Sequence, residues 1–344
     1  MPITCDAAVA SGHGTLNEFT LIERLVGHVP RKAEGLTWGV GDDCAVLTAG
    51  GRRDWLVSTE CHVEGVHFHA AWMSWRQIGQ RAVLATVSDV AAMGGRPRFL
   101  NIGVGIPDHV SVRAVEECYA GIQAAAEALG MVIIGGDTTT APAALHLSMT
   151  VIGEVTHGRA LYRRGARPGD FLYVTGSLGA SALGLQLLQE GKTPADHPAI
   201  VRHREPPQRI EVAQWLASTG CVTAMIDISD GLLADAEHVA AASHVGMVIE
   251  GMRIPCAECL NGMEYPDPLH MAVTSGEEYE LLFTVSGQRA PAFHHLANGV
   301  RRTLGVPLTR IGTVHQGHDV ALRDASGKPV TCAHAGYEHQ FTAS

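Results

Sequence analysis

Acidic side chains recur in this sequence inside segments that are otherwise apolar or rich in glycine. The segment VSDVAAMGG places Asp89 within a helical pattern, where Ala82, Ala85, Ala92 and Met93 share its face. A carboxylate in such surroundings is costly to bury unless it is paired, hydrogen-bonded or bound to a metal. Any fold of this chain therefore has to supply partners for carboxylates in its interior.

Several of these acidic residues also have a purely structural explanation. Asp89 could be held by backbone amides, and Asp137 could close a turn at the end of the buried strand predicted for MVII. Ser229 or Asp230 could cap the helix that follows AMID. Asp227 precedes that strand-to-helix junction, so capping does not account for it.

Taken together, the acidic residues indicate a magnesium site. Mg²⁺ prefers hard oxygen ligands with water and substrate phosphates, and few histidines or cysteines accompany these residues, which argues against zinc or copper. Carboxylates that hold several Mg²⁺ ions suit nucleotide chemistry, in which metal ions neutralise a transferring phosphoryl group. The residues that carry this interpretation are Asp43, Glu60, Asp89, Asp137, Asp227 and Asp230.

The familiar phosphate-binding loops do not occur in this sequence. EGKT at residues 190–193 resembles the end of a Walker A motif, but Gln186 stands where the first glycine belongs. No G-x-G-x-x-G lies between a predicted strand and helix, and the HRD and DFG motifs of protein kinases are missing. An ATP-dependent enzyme with this sequence must use another scaffold.

Composition excludes several other classes of function. A net charge of −10 without a long basic run argues against non-specific nucleic-acid binding. No apolar run reaches the ~18 residues that span a membrane, and the N-terminus lacks the pattern of a secretory signal, so we expect a cytoplasmic protein. The only close cysteine pair is Cys256 and Cys259, for which incidental thiols and a metal or redox role both remain open.

The order of predicted elements indicates two domains of mixed helix and strand. With 344 residues, of which 46% are hydrophobic, the chain can bury sizeable cores. The first half alternates strands and helices without Rossmann spacing, which favours an α+β fold. RRGARPGD at residues 163–170 suits the entry to a second, α/β domain. We place the boundary near residue 158, with an N-terminal domain at 16–158 and a C-terminal domain at 159–344.

Seven motifs together carry a resemblance to a known family. They are GVGDDCAVL, STECHVEGVHF, VSDVAAMGG, GGDTTTAP, YVTGSLGASALGL, IDISDGLLAD and SGEEYELLF. In this order and spacing the chain resembles the bacterial thiamine-monophosphate kinases, of the aminoimidazole-ribonucleotide-synthetase-like ATP-binding superfamily. Each motif alone is a weak signal, but seven in order, from about Leu16 to the GYEHQF tail, are specific.

This resemblance implies a fold, a reaction and partners. The N-terminal α+β domain would bind ATP and magnesium and form a homodimer through its sheet, and the C-terminal α/β domain would pack beside it. The reaction would be direct in-line transfer of the γ-phosphoryl group of ATP to thiamine monophosphate, in thiamine diphosphate biosynthesis. No covalent nucleophile is implied, since the acceptor phosphate is already anionic.

The resemblance also implies site residues, by position. The magnesium-site residues would be Asp43, Ser58, Thr59, Glu60, Asp89, Asp137, Asp227 and Asp230. The ATP contacts would be Gly136, Asp137, Arg163 and Ser229, and the substrate contacts His67, Glu277 and Tyr337. Asp42 has no ligand role by this resemblance, and we expect it to hold its loop through hydrogen bonds.

Two positions depart from the family pattern, and two other functions stay open. Glu60 stands where the family has aspartate in Ser-Thr-Asp, and Glu278 replaces the aspartate of Gly-Glu-Asp-Tyr-Glu. One alternative is a superfamily enzyme that activates a carbonyl or carboxylate oxygen by phosphorylation. The other is an inactive nucleotide-binding paralogue, for which Glu60 is the only evidence.

Overall fold

The chain is described here by a computed structural model, which covers residues 15–342 except 28, 30–31, 49, 192, 263–266 and 333–334. The described residues divide into two compact units, one with residues from 15–29 and 338–342 and the other with residues from 32–337. No helix in the described ranges is long and apolar enough to cross a membrane. The N-terminal segment considered as a possible signal lies outside the described residues.

The elements of the described residues have the following bounds. The strands are β1 (Thr15–Asn17), β2 (Leu36–Trp38), β3 (Ala45–Leu47), β4 (Arg53–Val63), β5 (Arg96–Ile106), β6 (Val132–Thr140), β7 (His146–Thr156), β8 (Phe171–Thr175), β9 (Val222–Asp227), β10 (Gly246–Glu250), β11 (Leu281–Val285), β12 (Leu308–His315), β13 (Val320–Arg323), β14 (Pro329–Val330) and β15 (Gln340–Thr342). The helices are α1 (Glu18–Val26), α2 (Trp75–Ala92), α3 (Val112–Ala128), α4 (Ala180–Glu190), α5 (Pro198–Arg204), α6 (Ile210–Thr219), α7 (Leu232–Ser243), α8 (Pro268–Thr274) and α9 (Ala290–Leu304). Short 3-10 turns lie at Gly251–Arg253 and Glu258–Leu260.

The smaller unit consists of a two-stranded ribbon and one helix. β1 pairs antiparallel with β15, so that Leu16 lies opposite Phe341. α1 follows β1 directly and begins at the cap residue Asn17, whose side chain accepts a 3.0 Å hydrogen bond from the backbone N–H of Thr20.

The larger unit contains a six-stranded and a seven-stranded sheet. The first has the order β2-β3-β4-β7-β5-β6, and the second has the order β14-β13-β10-β12-β8-β11-β9. The predicted class of mixed helix and sheet in two parts is confirmed. The boundary near residue 158 stays a prediction, with the first sheet ending at Thr156 and the second beginning at Phe171.

Among the described residues, helices cover one face of the six-stranded sheet, and side chains on the other face are exposed. α2 packs on β4, β5 and β7, where Leu56 and Met149 are fully buried. Thr59, Cys61 and Asn101 are exposed on the opposite face of the same strands. We call this the open face of the sheet.

α2 owes its position to its start and to its close contact with α3. Ser74 and Gln77 form a capping box, in which each side chain accepts a hydrogen bond from the other residue's backbone N–H. A Cβ at Gly79 would lie 2.0 Å from the carbonyl oxygen of Cys118, and a Cβ at Gly121 would lie 2.0 Å from that of Arg76. Only glycine at both positions allows the two helices to approach this closely.

One hydrophobic core joins the two sheets of the larger unit. It includes Val46 and Met149 from the first sheet and Phe283 from the second. α2 contacts β4 and β7 on one side and β9 on the other. Side chains in the middle of α2 therefore lie within reach of both sheets, and this is where the acidic residues converge.

Candidate active site

The acidic pair Asp42–Asp43 lies in the loop that leads into β3, next to Arg163. The carboxylate of Asp42 accepts hydrogen bonds from the backbone N–H of Arg163, at 3.2 and 3.3 Å, and from that of Asp43, at 3.2 Å. Burial and then the charge of Asp43 raise the pKa of Asp42 to about 7, although Arg163 opposes the rise. The expectation that Asp42 holds its loop through hydrogen bonds is confirmed.

Asp43 is buried and paired with Arg163 through one oxygen only. Its Oδ1 accepts hydrogen bonds from Nε and Nη2 of Arg163, at 2.9 and 2.5 Å. Its Oδ2 is buried and accepts no hydrogen bond from the described residues. Burial raises the pKa of Asp43, and the arginine offsets the rise only in part. A buried carboxylate oxygen without a donor is suited to a cation.

Asp89 and Asp227 approach Asp43 from α2 and from the end of β9. The hydroxyl of Ser58 on β4 donates a 2.5 Å hydrogen bond to Oδ2 of Asp89. The hydroxyl of Ser88 on α2 donates a 2.5 Å hydrogen bond to Oδ2 of Asp227. Each carboxylate therefore has one oxygen engaged by a hydroxyl of the protein.

These three aspartates form an acidic cluster of the kind that holds a metal ion. One carboxylate oxygen from each of Asp43, Asp89 and Asp227 lies within 4.8 Å of the others. Burial, and then the charge of Asp43, raise the pKa of Asp227 to about 7. Burial, and then the charges of Glu60 and Asp227, raise the pKa of Asp89 well above its usual value. A divalent cation would relieve both the repulsion and the loss of hydration.

Glu60 lies near this cluster, whereas the side chain of Thr59 does not. Side chains alternate along a strand, so Ser58 and Glu60 share the face of β4 that meets α2. The charge of Glu60 is the largest influence on the pKa of Asp89 after burial. Thr59 points to the open face, where its hydroxyl lies 2.9 Å from that of Thr150.

The structure does not bring Asp137 and Gly136 into the cluster. Both are exposed on β6, one of the two edge strands of the six-stranded sheet in the described part of the chain. The expectation of a buried strand here is wrong, because β6 pairs with β5 alone among the described strands, and Asp137 lies within the strand rather than at its end. A Cβ at Gly136 would lie 1.9 Å from the carbonyl oxygen of Ile102, so strand packing already requires this glycine.

Ser229 and Asp230 lie in the loop between β9 and α7, which is bonded to the turn at residues 276–280. The backbone N–H of Glu277 donates to the carbonyl of Ser229 at 2.7 Å, and that of Tyr279 donates to Ile228 at 2.8 Å. The helix cap is Gly231, and neither Ser229 nor Asp230 caps α7 with its side chain. Helix capping therefore does not explain these two residues.

Asp235 is a candidate metal-site residue that the sequence analysis did not identify. It is buried in the first turn of α7, where its Oδ2 accepts hydrogen bonds from the backbone N–H of Asp230, at 3.2 Å, and of Gly231, at 3.1 Å. Asp230, Asp235 and His238 form a second group that could hold a metal ion. A carboxylate in the first turn of a predicted helix is the signal that could have identified Asp235.

Of the predicted substrate contacts, Glu277 and His67 lie close together, and the backbone of Tyr337 is bonded to the loop between β9 and α7. Glu277 forms an ion pair with the buried Arg81 at 2.5 Å and lies 3.7 Å from Nδ1 of His203. The charge of His67 also contributes to the pKa of Glu277, which places this histidine nearby. Tyr337 is 55% exposed, and its backbone N–H donates to the carbonyl of Asp230 at 2.9 Å.

In the turn at residues 276–280, Glu278 and Glu280 are buried, whereas Glu277 and Tyr279 are partly exposed. Glu278 is fully buried and accepts hydrogen bonds from the backbone N–H of Gly179, at 2.8 Å, and of Ser181, at 3.1 Å. Glu280 is also fully buried and binds Arg209 through two hydrogen bonds of 2.6 and 2.7 Å. These anchors hold the turn although Glu277 and Tyr279 adopt positive φ values of 59° and 50°, which L-residues rarely do.

Known proteins with similar sequences agree with this division into two sheets. Residues 41–155 match the AIR synthase related protein, N-terminal domain, and residues 167–325 match the corresponding C-terminal domain. The chain is 36% identical to the thiamine-monophosphate kinase of Escherichia coli strain K12, over 94% of this chain and 98% of that protein. It is 33% identical to the thiamine-monophosphate kinase of Bacillus subtilis strain 168, over 88% of this chain and 92% of that protein.

A solved structure extends the similarity to the whole fold. AaThiL complexed with AMPPCP and TMP has a TM-score of 0.79 with this chain at 31% sequence identity. The similarity covers 94% of this chain and 97% of that one. The family-model matches at residues 41–155 and 167–325 contain Asp43, Asp89 and Asp227 of the acidic cluster.

Proposed function

Because this chain belongs to the thiamine-monophosphate kinase family of AIR synthase related proteins, we propose that it phosphorylates thiamine monophosphate with ATP. The products are thiamine diphosphate and ADP, and the enzyme is a phosphotransferase of thiamine diphosphate biosynthesis, acting in the cytoplasm. The observation that carries the proposal is the convergence of Asp43, Asp89 and Asp227 on one point in a chain whose relatives are these kinases. The AaThiL complex with AMPPCP and TMP supports the same pair of substrates.

The chemistry of the acidic cluster supports Mg²⁺ as the cofactor. Asp43, Asp89 and Asp227 would hold an ion, with Glu60 beside them, and Asp230 with Asp235 offers a second place. The buried Oδ2 of Asp43, which accepts no hydrogen bond from the described residues, fits a cation site, since a cation would balance its charge. When bound, Mg²⁺ neutralises phosphate charge, and oxygen ligands of this kind are the ones it prefers.

The chain's own residues align the reactants and reduce their repulsion. The acceptor oxygen carries negative charge already, so no strong general base is needed, and the main obstacle is the approach of two anions. Arg163, fixed by Asp43, is a cation at the cluster that can face a phosphate group. Arg81 fixes Glu277, which we assign with His67 and Tyr337 to the thiamine side of the substrate. Ser229, Gly136, Thr59 and Asp137 remain proposed contacts of ATP or magnesium.

We also propose that the functional protein is a homodimer that forms through the six-stranded sheet. β6 is an edge strand with exposed apolar side chains, and Val132 and Ile134 are 57% and 54% exposed. The neighbouring face of α3 exposes Val112 and Tyr119. An uncovered edge of this kind invites pairing with another strand, and a second copy would cover the edge and the open face together.

The test is product formation from purified protein, ATP and thiamine monophosphate. We expect thiamine diphosphate and ADP in equal amounts with Mg²⁺, and neither product after removal of divalent cations with EDTA. A protein that binds ATP but forms no thiamine diphosphate would support the inactive paralogue. ADP formation with a carbonyl or carboxylate acceptor alone would support the other superfamily reaction.

A further inference from the structure

Ser88 forms a hydrogen bond that a serine inside a helix does not ordinarily make. Serine and threonine in a helix interior commonly bond to the carbonyl four residues earlier, and Thr86 on the same helix does so with Ala82 at 2.8 Å. The buried hydroxyl of Ser88 instead crosses to Oδ2 of Asp227 on the second sheet, at 2.5 Å. This distance is typical of a hydroxyl that donates to an ionised carboxylate.

The same arrangement occurs at each member of the acidic cluster. Ser58 donates a hydrogen bond to Oδ2 of Asp89, and Arg163 donates both of its hydrogen bonds to Oδ1 of Asp43. In every case the remaining oxygen accepts no hydrogen bond from the part of the chain that the structure describes. Each carboxylate is thus divided into one oxygen that the protein holds and one that is left for a ligand.

A carboxylate held in this way is limited in how it can bind a cation. The terminal torsion of aspartate is soft, so an unrestrained carboxylate can rotate and bind through one or both oxygens. Mg²⁺ requires near-ideal octahedral geometry and keeps several waters, whereas the larger Ca²⁺ accepts bidentate carboxylates and variable geometry. A hydroxyl that fixes one oxygen therefore favours the smaller ion.

We propose that Ser88 is a positioning residue that holds Asp227 as a one-oxygen ligand and thereby selects Mg²⁺ over Ca²⁺. This inference rests on the proposed function, because it assigns a role within the proposed metal site. A purely structural Ser88 would also contribute to stability, since it satisfies a buried carboxylate. Only the positioning role changes the relative affinity of two cations that differ in size.

The experiment measures metal binding rather than turnover. Mn²⁺ alone is titrated into the full-length protein and followed by electron paramagnetic resonance, and Mg²⁺ or Ca²⁺ then displaces it. The variants are Ser88→Ala, which removes the hydroxyl, Ser88→Thr, which retains it, and Ser88→Cys, which has a weaker donor of similar size. Thr86→Val is the matched control, because it removes a buried hydroxyl from the same helix without touching an acidic residue of the cluster.

We expect Ser88→Ala to weaken Mg²⁺ binding about tenfold or more, the usual effect of losing a residue that orients a metal ligand. Ca²⁺ binding should change less, so the preference for Mg²⁺ should fall. Ser88→Cys should lie between Ser88→Ala and the wild type, and Ser88→Thr and Thr86→Val should retain the wild-type preference. Should the alanine variant not fold, the cysteine and threonine variants still provide the comparison.

Two results would overturn the inference. One is a folded Ser88→Ala or Ser88→Cys with the wild-type ratio of Mg²⁺ to Ca²⁺ affinity, and the other is a wild type that binds no Mn²⁺. The kinase assay separates this from the proposed function. If the Ser88 variants lose the preference for Mg²⁺ but the wild type makes no thiamine diphosphate, only the proposed function is refuted. If the wild type makes thiamine diphosphate but the Ser88 variants keep its preference for Mg²⁺, only this inference is refuted.

Discussion

Arg81 and Glu277 form an ion pair of 2.5 Å between α2 and the turn that precedes β11, and the arginine side chain is only 5% exposed. Burial alone would raise the pKa of Glu277, but the charges of Arg81 and then His203 lower it below its usual value. Glu277 therefore stays ionised and fixed in position at the proposed substrate side of the site.

Replacing Arg81 should affect both stability and substrate binding. Arg81→Gln leaves Glu277 without its buried counter-charge, which should lower the free energy of unfolding by about 3 kcal/mol. The KM for thiamine monophosphate should rise more than kcat falls, because Glu277 binds substrate without taking part in the transfer. Urea denaturation and steady-state kinetics measure the two effects.

A surface ion pair provides the control for this variant. Arg53 pairs with Glu154 at 3.0 Å with 57% of its side chain exposed, so Arg53→Gln should cost less than about 1 kcal/mol and leave KM unchanged. Equal losses of stability in the two variants, or an unchanged KM in Arg81→Gln, would contradict the assignment.

Asp89→Asn should abolish turnover in a folded protein. The substitution keeps the shape of the side chain and removes the charge that a cation requires, so we expect a loss on the order of 10³-fold or more in kcat. Mn²⁺ binding in the absence of nucleotide should be lost as well. A stable variant with near-wild-type kcat would show that Asp89 is only a hydrogen-bonded core residue.

Asp137→Asn tests whether the exposed edge strand contributes to the site. Because Asp137 lies outside the acidic cluster, nucleotide-free Mn²⁺ binding should match the wild type. Turnover should nevertheless fall by about tenfold or more, if Asp137 contacts ATP or its metal as proposed. Wild-type values of both quantities would remove Asp137 from the site.

The stability of the fold should fall with decreasing pH because of His62. The pKa of His62 is lowered from 6.5 to about 3, mainly by burial and then by the charges of His67 and Arg81. Below about pH 6.5 this histidine is protonated in the unfolded chain and stays neutral in the folded chain. Its contribution to the free energy of unfolding is therefore fully present above pH 6.5 and is lost as the pH falls toward about 3. Between pH 7 and 5 the wild type should lose about 2 kcal/mol more than His62→Gln.

Urea unfolding of both proteins at the two pH values measures this difference. The acidic cluster titrates in wild type and variant alike, so the difference isolates the histidine. Identical pH dependence in the two proteins would mean that the pKa of His62 is the same in the folded and the unfolded chain. In the fold its Nε2 lies 3.1 Å from the hydroxyl of Thr86.

The sequence predicted the acidic cluster well because its members lie in apolar segments. Asp43, Asp89 and Asp227 each stand where an unpaired charge would be costly, and the structure brings these three together. The sequence could not predict the roles of Ser88 and Arg81, because their partners, Asp227 and Glu277, lie on elements that are distant in the chain. A serine next to an aspartate in a helix has no local pattern that distinguishes a positioning hydroxyl from a surface one.

The incorrect prediction that β6 is buried has a different cause. The run VIIGG at residues 132–136 has the composition of a buried strand, yet it lies at a sheet edge, and exposure depends on sheet order. The pairing of β6 with β5 alone could not be derived from local periodicity.

The homodimer should depend on this same edge. Light scattering should give about twice the chain mass of 36.4 kDa, and Ile134→Glu should shift the protein to a monomer by placing a charge on the exposed apolar strand. Met252→Glu is the control, because Met252 is 76% exposed outside this sheet and its substitution should leave the dimer intact. A monomeric wild type that is fully active would refute the proposed assembly.

Glu60 provides the sharpest test of the metal site, because it departs from the aspartate of the family pattern. Glu60 shares the α2-facing side of β4 with Ser58, and its charge raises the pKa of Asp89. If Glu60 contacts the cation, a shorter or uncharged side chain must alter the Mg²⁺ dependence, since Mg²⁺ tolerates little deviation from about 2.1 Å contacts. Glu60→Gln should need more Mg²⁺ for half-maximal rate than Glu60→Asp, since it loses the charge as well. Equal Mg²⁺ titrations for the wild type and both variants would place residue 60 outside the metal site, while Asp43, Asp89 and Asp227 could still form it.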